Sequence, residues 1–356
     1  MKLSLVFNGA QLTADHLQQV ISAAGANTSI QVYTAQAMSL NTLQTCIGLA
    51  GSKKNLGLDF NGAQLNANNL QQAVSAAGSN VSFSVNTAQA VNISTLVDIF
   101  KTNKKVSAEF NGAQLVASNL QLAVNAAGTN SYVSVNTAHA ADLNALLGAI
   151  KSGKNFGANF NGAQLNSNLQ KAIAAAGVNT SISVNTAQAI DLSTLLSVVK
   201  ANKNFSADFN GAQLNANNLQ QAIAAAGTNV SISVNTAQAV DIGTMLSVIR
   251  ANKKFSASFN GAQLTSNNLQ QAVAAAGDNT TISVNTAQAV SMDTLLAVMR
   301  AAGSTKKFSA SYDGNLLNEV NLKQAVSAAG SNTSVAVGEA QRVSISTLLS
   351  IVKSAG

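Results

Sequence analysis

The six-residue segment Phe-Asn-Gly-Ala-Gln-Leu occupies residues 7–12, 60–65, 110–115, 160–165, 209–214 and 259–264, and a seventh version reads Tyr312-Asp313-Gly314-Asn315-Leu316-Leu317. A segment that returns every 49 to 53 residues constrains the fold more than any composition figure, because each copy calls for the same local surroundings. Midway between copies runs a weaker signal, Val284-Asn285-Thr286-Ala287-Gln288-Ala289 in the sixth interval. Its first residue recurs as Val32, Val85, Val135, Val184, Val234 and Val337. The two segments share Asn-x-Ala-Gln, so the structural unit is about 25 residues long and is repeated fourteen times.

Each unit has two parts. Phe255, Ala257 and Phe259 alternate with Ser256 and Ser258, the period of a strand with one buried face. Leu269, Ala272, Val273 and Ala276 then fall at the spacing of one helical stripe. In the second half-repeat, Ile282-Ser283-Val284 is the strand, and Met292, Leu295, Leu296, Val298 and Met299 mark the helix. Ser266 or Asn267, and Ser291, Asp191 and Asp241, are suited to cap helix N-termini. Gly78, Gly128, Gly177, Gly227, Gly277 and Gly330 follow the first helices, where a left-handed C-cap is expected, and Asn103, Asn202 and Asn252 follow the second.

Strands separated by helices pair in parallel. The expected fold is an α/β protein, a right-handed parallel β/α solenoid of about fourteen strand–helix units, with an open sheet face and two free ends. Asn260-Gly261 also suits a hairpin turn, but the return strand Ala262-Gln263-Leu264 would be very short. The expected organisation is one repeat domain, residues 1–356, with repeats starting near residues 3, 56, 106, 156, 205, 255 and 308. Residues 308–356 diverge, with Tyr312-Asp313, Gly338-Glu339, Glu319 and Arg342 as departures, and are read as a C-terminal capping repeat.

The run Ala257-Ser258-Phe259-Asn260-Gly261-Ala262-Gln263-Leu264 resembles the leucine-rich repeat family, in its period and in its order of apolar strand, Asn, Leu and helix. Asn260 follows Phe259 directly, whereas the family places two residues between strand and Asn. The resemblance implies a concave sheet surface used for binding.

Only 9% of residues are charged, against about 25% in a typical domain, so the polar surface is built from Ser, Thr, Asn and Gln. The lone Cys46 excludes an internal disulfide and reads as a buried apolar residue. No apolar stretch is long enough to span a membrane. The start, Met1-Lys2-Leu3-Ser4-Leu5-Val6-Phe7, has too short an apolar run for a classical signal peptide, so a cytoplasmic location or non-classical export is expected.

Three rows of residues are candidates for function. Asn260 and its equivalents read as a structural ladder that satisfies backbone groups at the bend. Gly261 suits a positive φ or a close approach, and Thr286 suggests that the second bend is the less demanding one. Lysines recur once per repeat before the first strand, among them Lys54, Lys105, Lys154, Lys203, Lys254 and Lys307. They are expected to protect an edge or to form a basic ladder. Outward Ser183, Ser233, Ser258 and Ser283 are expected to tile the open sheet face.

His16 and His139 build no catalytic triad, and His and Cys are too few for a metal site. His139 stands where other repeats have Gln. The expectation is a chain that is not an enzyme and binds no cofactor or metal. It would serve as an interaction scaffold for a macromolecule, a protein in the first place, through the sheet face or the lysine edge. Two alternatives are head-to-tail self-assembly into a structural filament and the binding of polyanions. Nucleic acid is the weaker polyanion candidate, because Arg is limited to Arg250, Arg300 and Arg342 and few aromatics are free to stack.

Overall fold

The computed structural model describes Met1–Gly356 and consists of fourteen strands, each followed by a helix. The strands are β1 Lys2–Asn8, β2 Thr28–Tyr33, β3 Asn55–Asn61, β4 Val81–Asn86, β5 Lys105–Asn111, β6 Ser131–Asn136 and β7 Phe156–Asn161. They continue as β8 Thr180–Asn185, β9 Phe205–Asn210, β10 Val230–Asn235, β11 Phe255–Asn260, β12 Thr280–Asn285, β13 Lys307–Asp313 and β14 Thr333–Gly338. The helices are α1 Ala14–Ala23, α2 Leu40–Ala50, α3 Ala67–Ala76, α4 Ile93–Lys101, α5 Ala117–Ala126, α6 Leu143–Lys151 and α7 Asn168–Ala175. After them come α8 Leu192–Lys200, α9 Ala216–Ala225, α10 Ile242–Arg250, α11 Ser266–Ala275, α12 Met292–Ala302, α13 Glu319–Ala328 and α14 Ile345–Ala355.

The alternation read from the sequence sets the two faces of every strand. On β11, Phe255, Ala257 and Phe259 are buried, while Ser256 and Ser258 keep part of their surface in water. The buried face packs on the helix stripes, as in Leu269, Ala272 and Val273 of α11. These contacts join 102 buried apolar residues into one continuous core between sheet and helices.

The sheet is not an open solenoid. β1 pairs in parallel with β2 on one side and with β14 on the other, so the fourteen strands form a closed barrel. Partners followed around the ring lead from Leu3 to Thr28, Ile30 to Leu56, Leu56 to Val81 and Phe83 to Val106, and finally from Val335 back to Leu3. Each of the seven even strands is entered two residues before the residue that leads out of it, and two times seven gives a shear of fourteen. Shear and strand number are equal, as in the eight-stranded α/β barrel, so the strands tilt by about 36°. Fourteen tilted strands close a wall about 25 Å across between backbones, against a barrel of eight that side chains can fill. The inward residues, such as Ser4, Ser29, Ser258 and Ser283, stay accessible to water inside this wall.

Closure replaces the expected open ends and the expected exposed sheet face, and the reason is geometric. Packed helices stand about 8–10 Å apart, while tilted strands occupy about 6 Å of circumference each. With the two layers about 10 Å apart, a mismatch at the wide end of that range, about 4 Å per unit, bends the sheet into a circle after roughly sixteen units. The period of 25 residues is visible in the sequence, but the accumulated curvature is not. The open concave surface implied by the leucine-rich-repeat resemblance is therefore not what this chain forms.

The bends also differ from expectation. Gly261 has no positive φ; it is required because a Cβ there would lie 2.4 Å from the Thr286 carbonyl oxygen. Thr286 carries the strained backbone instead, with φ 53° in the left-handed region, as do Thr34, Thr87, Thr137, Thr186 and Thr236. The second bend is thus the more demanding one. Its Thr hydroxyl donates to the Asn side chain of the preceding unit, as Thr286 Oγ1 does to Asn260 Oδ1 at 3.0 Å. The glycines after the first helices are likewise not left-handed, and Ala276 is the C-cap of α11. Asn103, Asn202 and Asn252 do take positive φ after the second helices. Ser291, Asp191 and Asp241 cap their helices as expected, whereas α11 is capped by Thr265.

Candidate functional site

All strands run the same way and every helix returns, so the ring has two chemically different faces. One face collects strand N-termini and helix C-termini. The other collects strand C-termini and helix N-termini.

The lysines divide into two sets on the first face. Lys54 donates to the Ser22 carbonyl at 2.7 Å, Lys104 to Ala77 at 2.6 Å and Lys154 to Ala127 at 2.8 Å. Lys306 does the same to Val273 at 3.0 Å. These ammonium groups satisfy carbonyls at or next to the last turns of α1, α3, α5 and α11, where the helix dipole favours a cation. Lys203 takes the equivalent place and is half-buried. Lys105, Lys254 and Lys307 stand one residue later, immediately before the first buried strand residue. By alternation they belong to the lumenal side, and they are exposed. Parity relative to the buried Phe or Val separates the two sets, and it was available in the sequence. The sequence reading passed over Lys101, Lys151, Lys200 and Lys353 and weighed Arg250 and Arg300 only as to nucleic acid; all six lie in the last turns of the even helices on the same face. Their signal was their position at the end of each second helical stripe.

Ser183, Ser233, Ser258 and Ser283 each stand two residues before the Asn that ends their strand, in the lumenal row toward the strand C-termini. The same row holds Asp59, Glu109 and Asp208. Asp59 accepts from Gln31 Nε2 at 2.7 Å and from Ser84, Glu109 accepts from Asn136 Nδ2 at 2.6 Å, and Asp208 accepts from Ser233. Ser258 accepts from Asn285 Nδ2 at 2.8 Å. The rim above is a ring of Asn. Those on odd strands are used in the bend, where Asn260 Oδ1 accepts from Ala262 N–H at 3.0 Å and from Thr286. Asn86, Asn185 and Asn235 on even strands are exposed. At the closing joint, Tyr33 at the end of β2 reaches across β1 and donates to Glu339 just after β14, and desolvation together with that carboxylate pushes the phenol up to about 12. Cys46 is buried, and burial pushes its thiol up to about 11.

Charge is separated along the ring axis. All but Lys171, Lys323 and Arg342 of the 20 Lys and Arg lie at strand N-termini or helix C-termini. All but Asp98 and Asp278 of the 13 Asp and Glu lie at helix N-termini, at strand C-termini or in the lumenal row next to them. Only Lys101 and Asp98 form an ion pair, at 3.7 Å.

No protein-family model and no curated protein matches the sequence. Among solved structures, the yeast Rad7 and Elc1 complex aligns at 12% identity and a TM-score of 0.46, over 82% of this chain and 77% of that one. A 3-hexulose-6-phosphate synthase aligns at 17% identity and a TM-score of 0.28, over 64% of this chain and 100% of that one. A truncated 3-deoxy-D-arabino-heptulosonate 7-phosphate synthase from Thermotoga maritima aligns at 12% identity and a TM-score of 0.29, over 52% of this chain and 74% of that one. The class follows from the strand order itself: a closed ring of fourteen parallel strand–helix units is an α/β barrel. The expectation of a chain that is not an enzyme, which rested on the lack of a catalytic triad and of a metal set, is withdrawn: enzymes of the α/β-barrel class, such as these synthases, stand among the structures that this closed barrel aligns with. At these identities their activities do not pass to this chain. The leucine-rich-repeat assignment has no matching family model behind it and gives way to the closed barrel. No helix is long and apolar enough to cross a membrane.

Proposed function

We propose that this chain is a ring-shaped interaction scaffold that seats an acidic protein surface on the face formed by its strand N-termini. One observation carries the reading: the cations stand on one face and the carboxylates toward the other, and the single ion pair, Lys101 with Asp98, lies within the cation face. Charges left unpaired within a chain remain free to steer and hold a partner of opposite sign. Lys105, Lys254 and Lys307 fit this role best, because they are exposed and make no bond to a helix end. The scarcity of Arg and of free aromatics at this face favours protein over nucleic acid.

The test is binding of a labelled polyglutamate peptide, read by fluorescence anisotropy at about 20 mM and about 500 mM salt. Binding at low salt that is lost at high salt, and weakened several-fold by combined Lys105→Gln, Lys254→Gln and Lys307→Gln, is the expected result. No binding at low salt would reject the proposal.

A further inference from the structure

We infer that the acidic partner is the opposite face of a second copy, so that rings stack head to tail into a tube. The inference rests on the reading that the lysine-bearing face docks acidic protein surfaces, and it names that surface.

Three helices carry the argument. α6, α8 and α10 begin at Asp142, Asp191 and Asp241 and end at Lys151, Lys200 and Arg250. All six side chains are exposed. One oxygen of each carboxylate caps its helix: Asp142 Oδ1 accepts from Ala145 N–H at 2.8 Å, Asp191 Oδ1 from Thr194 N–H at 3.0 Å, and Asp241 Oδ2 from Thr244 N–H at 2.7 Å. The other oxygen of each accepts no backbone N–H and, on an exposed side chain, is available to an incoming cation. A copy translated along the ring axis, and turned about it to follow the tilt of the helices, brings the basic end of each of these helices over the acidic end of its counterpart. The match needs no change of radius, because both charges sit on the same helix of the same ring.

The two faces are opposite in sign: the exceptions Asp98 and Asp278 leave the basic face strongly positive, and Arg342 is the one cation at the strand C-termini of the other. A contact between two different faces of one chain does not close on itself, so it propagates. Its strength falls with ionic strength, because the charges lie at exposed rims. The stacked barrels would share one lumen, walled by the small hydroxyls and carboxylates of the inner rows.

Two full-length variants test this while keeping the fold. Asp142→Asn, Asp191→Asn and Asp241→Asn together neutralise the acidic ends, and Asn remains a good N-cap. Lys151→Gln, Lys200→Gln and Arg250→Gln together neutralise the basic ends. Sedimentation velocity of the unaltered protein at about 20 mM salt should show species that grow with concentration and revert to single rings at about 500 mM. Each variant alone should lose at least tenfold in association. An equimolar mixture should form a species of two rings and nothing larger, because only one native junction remains. A wild type that stays a single ring at low salt, or variants that associate as the wild type does, would overturn the inference. Polyglutamate provides the separation from the broader proposal: single rings that still bind it discard stacking alone, whereas rings that do not bind it discard both.

Discussion

Gln341 Oε1 accepts a hydrogen bond from the Asn8 backbone N–H at 3.0 Å, across 333 residues of chain. The same bond joins Gln238 to Asn260 at 2.9 Å inside the array. The closing joint is thus made with the same chemistry as the other joints that lead into odd strands, the one at His139 excepted. Removing the Gln side chain leaves a half-buried N–H without its acceptor, at a cost of about 1–3 kcal/mol. Gln341→Ala and Gln238→Ala are expected to lower the urea midpoint by similar amounts. If Gln341→Ala were silent while Gln238→Ala was costly, the ring would be open between β14 and β1.

His139 is the one departure from this ladder. Its Nδ1 accepts from Asn161 N–H at 3.4 Å, longer than the 3.0 Å bond from Asn210 N–H to Gln188. A neutral imidazole can offer one lone pair there, and an imidazolium offers none. His139→Gln is expected to be neutral or to stabilise by up to about 1 kcal/mol, the worth of one improved hydrogen bond. Thermal unfolding at neutral pH measures it, and a clear drop in Tm would show that the imidazole does more than replace Gln.

The two faces of β11 make a sharper test of the barrel. Phe259 lies in the annular core at 1% exposure, while Ser258 lines the lumen. Phe259→Ala is expected to cost about 3–5 kcal/mol, as large-to-small changes in a packed core do. Ser258→Ala should stay within about 0.5 kcal/mol, because a hydrated position loses little. Urea denaturation of the two variants gives the comparison, and a loss under about 1 kcal/mol for Phe259→Ala would put that face in water.

Strand and helix were legible because period two and the helical stripe are local properties, written within the run from Phe255 to Ala276. Closure was not, because the bend between neighbouring units is set by helix width against strand spacing and is spread over every residue. The bends were misread for a related reason. Gly261 carries the residue type that suggests a left-handed backbone, yet the left-handed residue is Thr286, held there by the hydroxyl bond to Asn260. A pairing between units 26 residues apart outweighs intrinsic preference. Among the candidate residues, the lysines were found as a row, but a single-residue offset decides whether one caps a helix, as Lys154 does, or faces the lumenal mouth, as Lys105 does.

Acid should loosen the ring through its helix caps. Hydrogen bonds from the Ser193 and Thr194 side chains and the Thr194 backbone hold the Asp191 carboxyl at about 2. The Thr244 backbone and hydroxyl lower Asp241, and Thr347 and Ser344 lower Glu319. Carboxyls held below their unfolded values add stability that is fully present above the ordinary carboxylate range and is lost as pH falls through the folded values. The urea midpoint is therefore expected to decline between about pH 4 and about pH 2. In a variant combining Asp191→Asn, Asp241→Asn and Glu319→Gln the decline should be shallower. An unchanged decline would place the acid sensitivity elsewhere.

The last prediction concerns hydroxyls on the wrong side of the sheet. The side-chain oxygens of Thr28, Ser131, Thr280 and Thr333 face the apolar core at the first position of even strands, and none has a hydrogen-bond partner. The chain itself shows the alternative, since Val81 and Val230 occupy the same position on β4 and β10 and are fully buried. A buried hydroxyl without a partner forfeits its hydration and gains nothing in return, at about 1–3 kcal/mol, and Val has nearly the same shape. Thr280→Val should raise the urea midpoint by the equivalent of about 1 kcal/mol, and Val230→Thr should lower it by a similar amount. If Thr280→Val destabilised the ring instead, an ordered water would have to be bonding that hydroxyl between β12 and the helix layer.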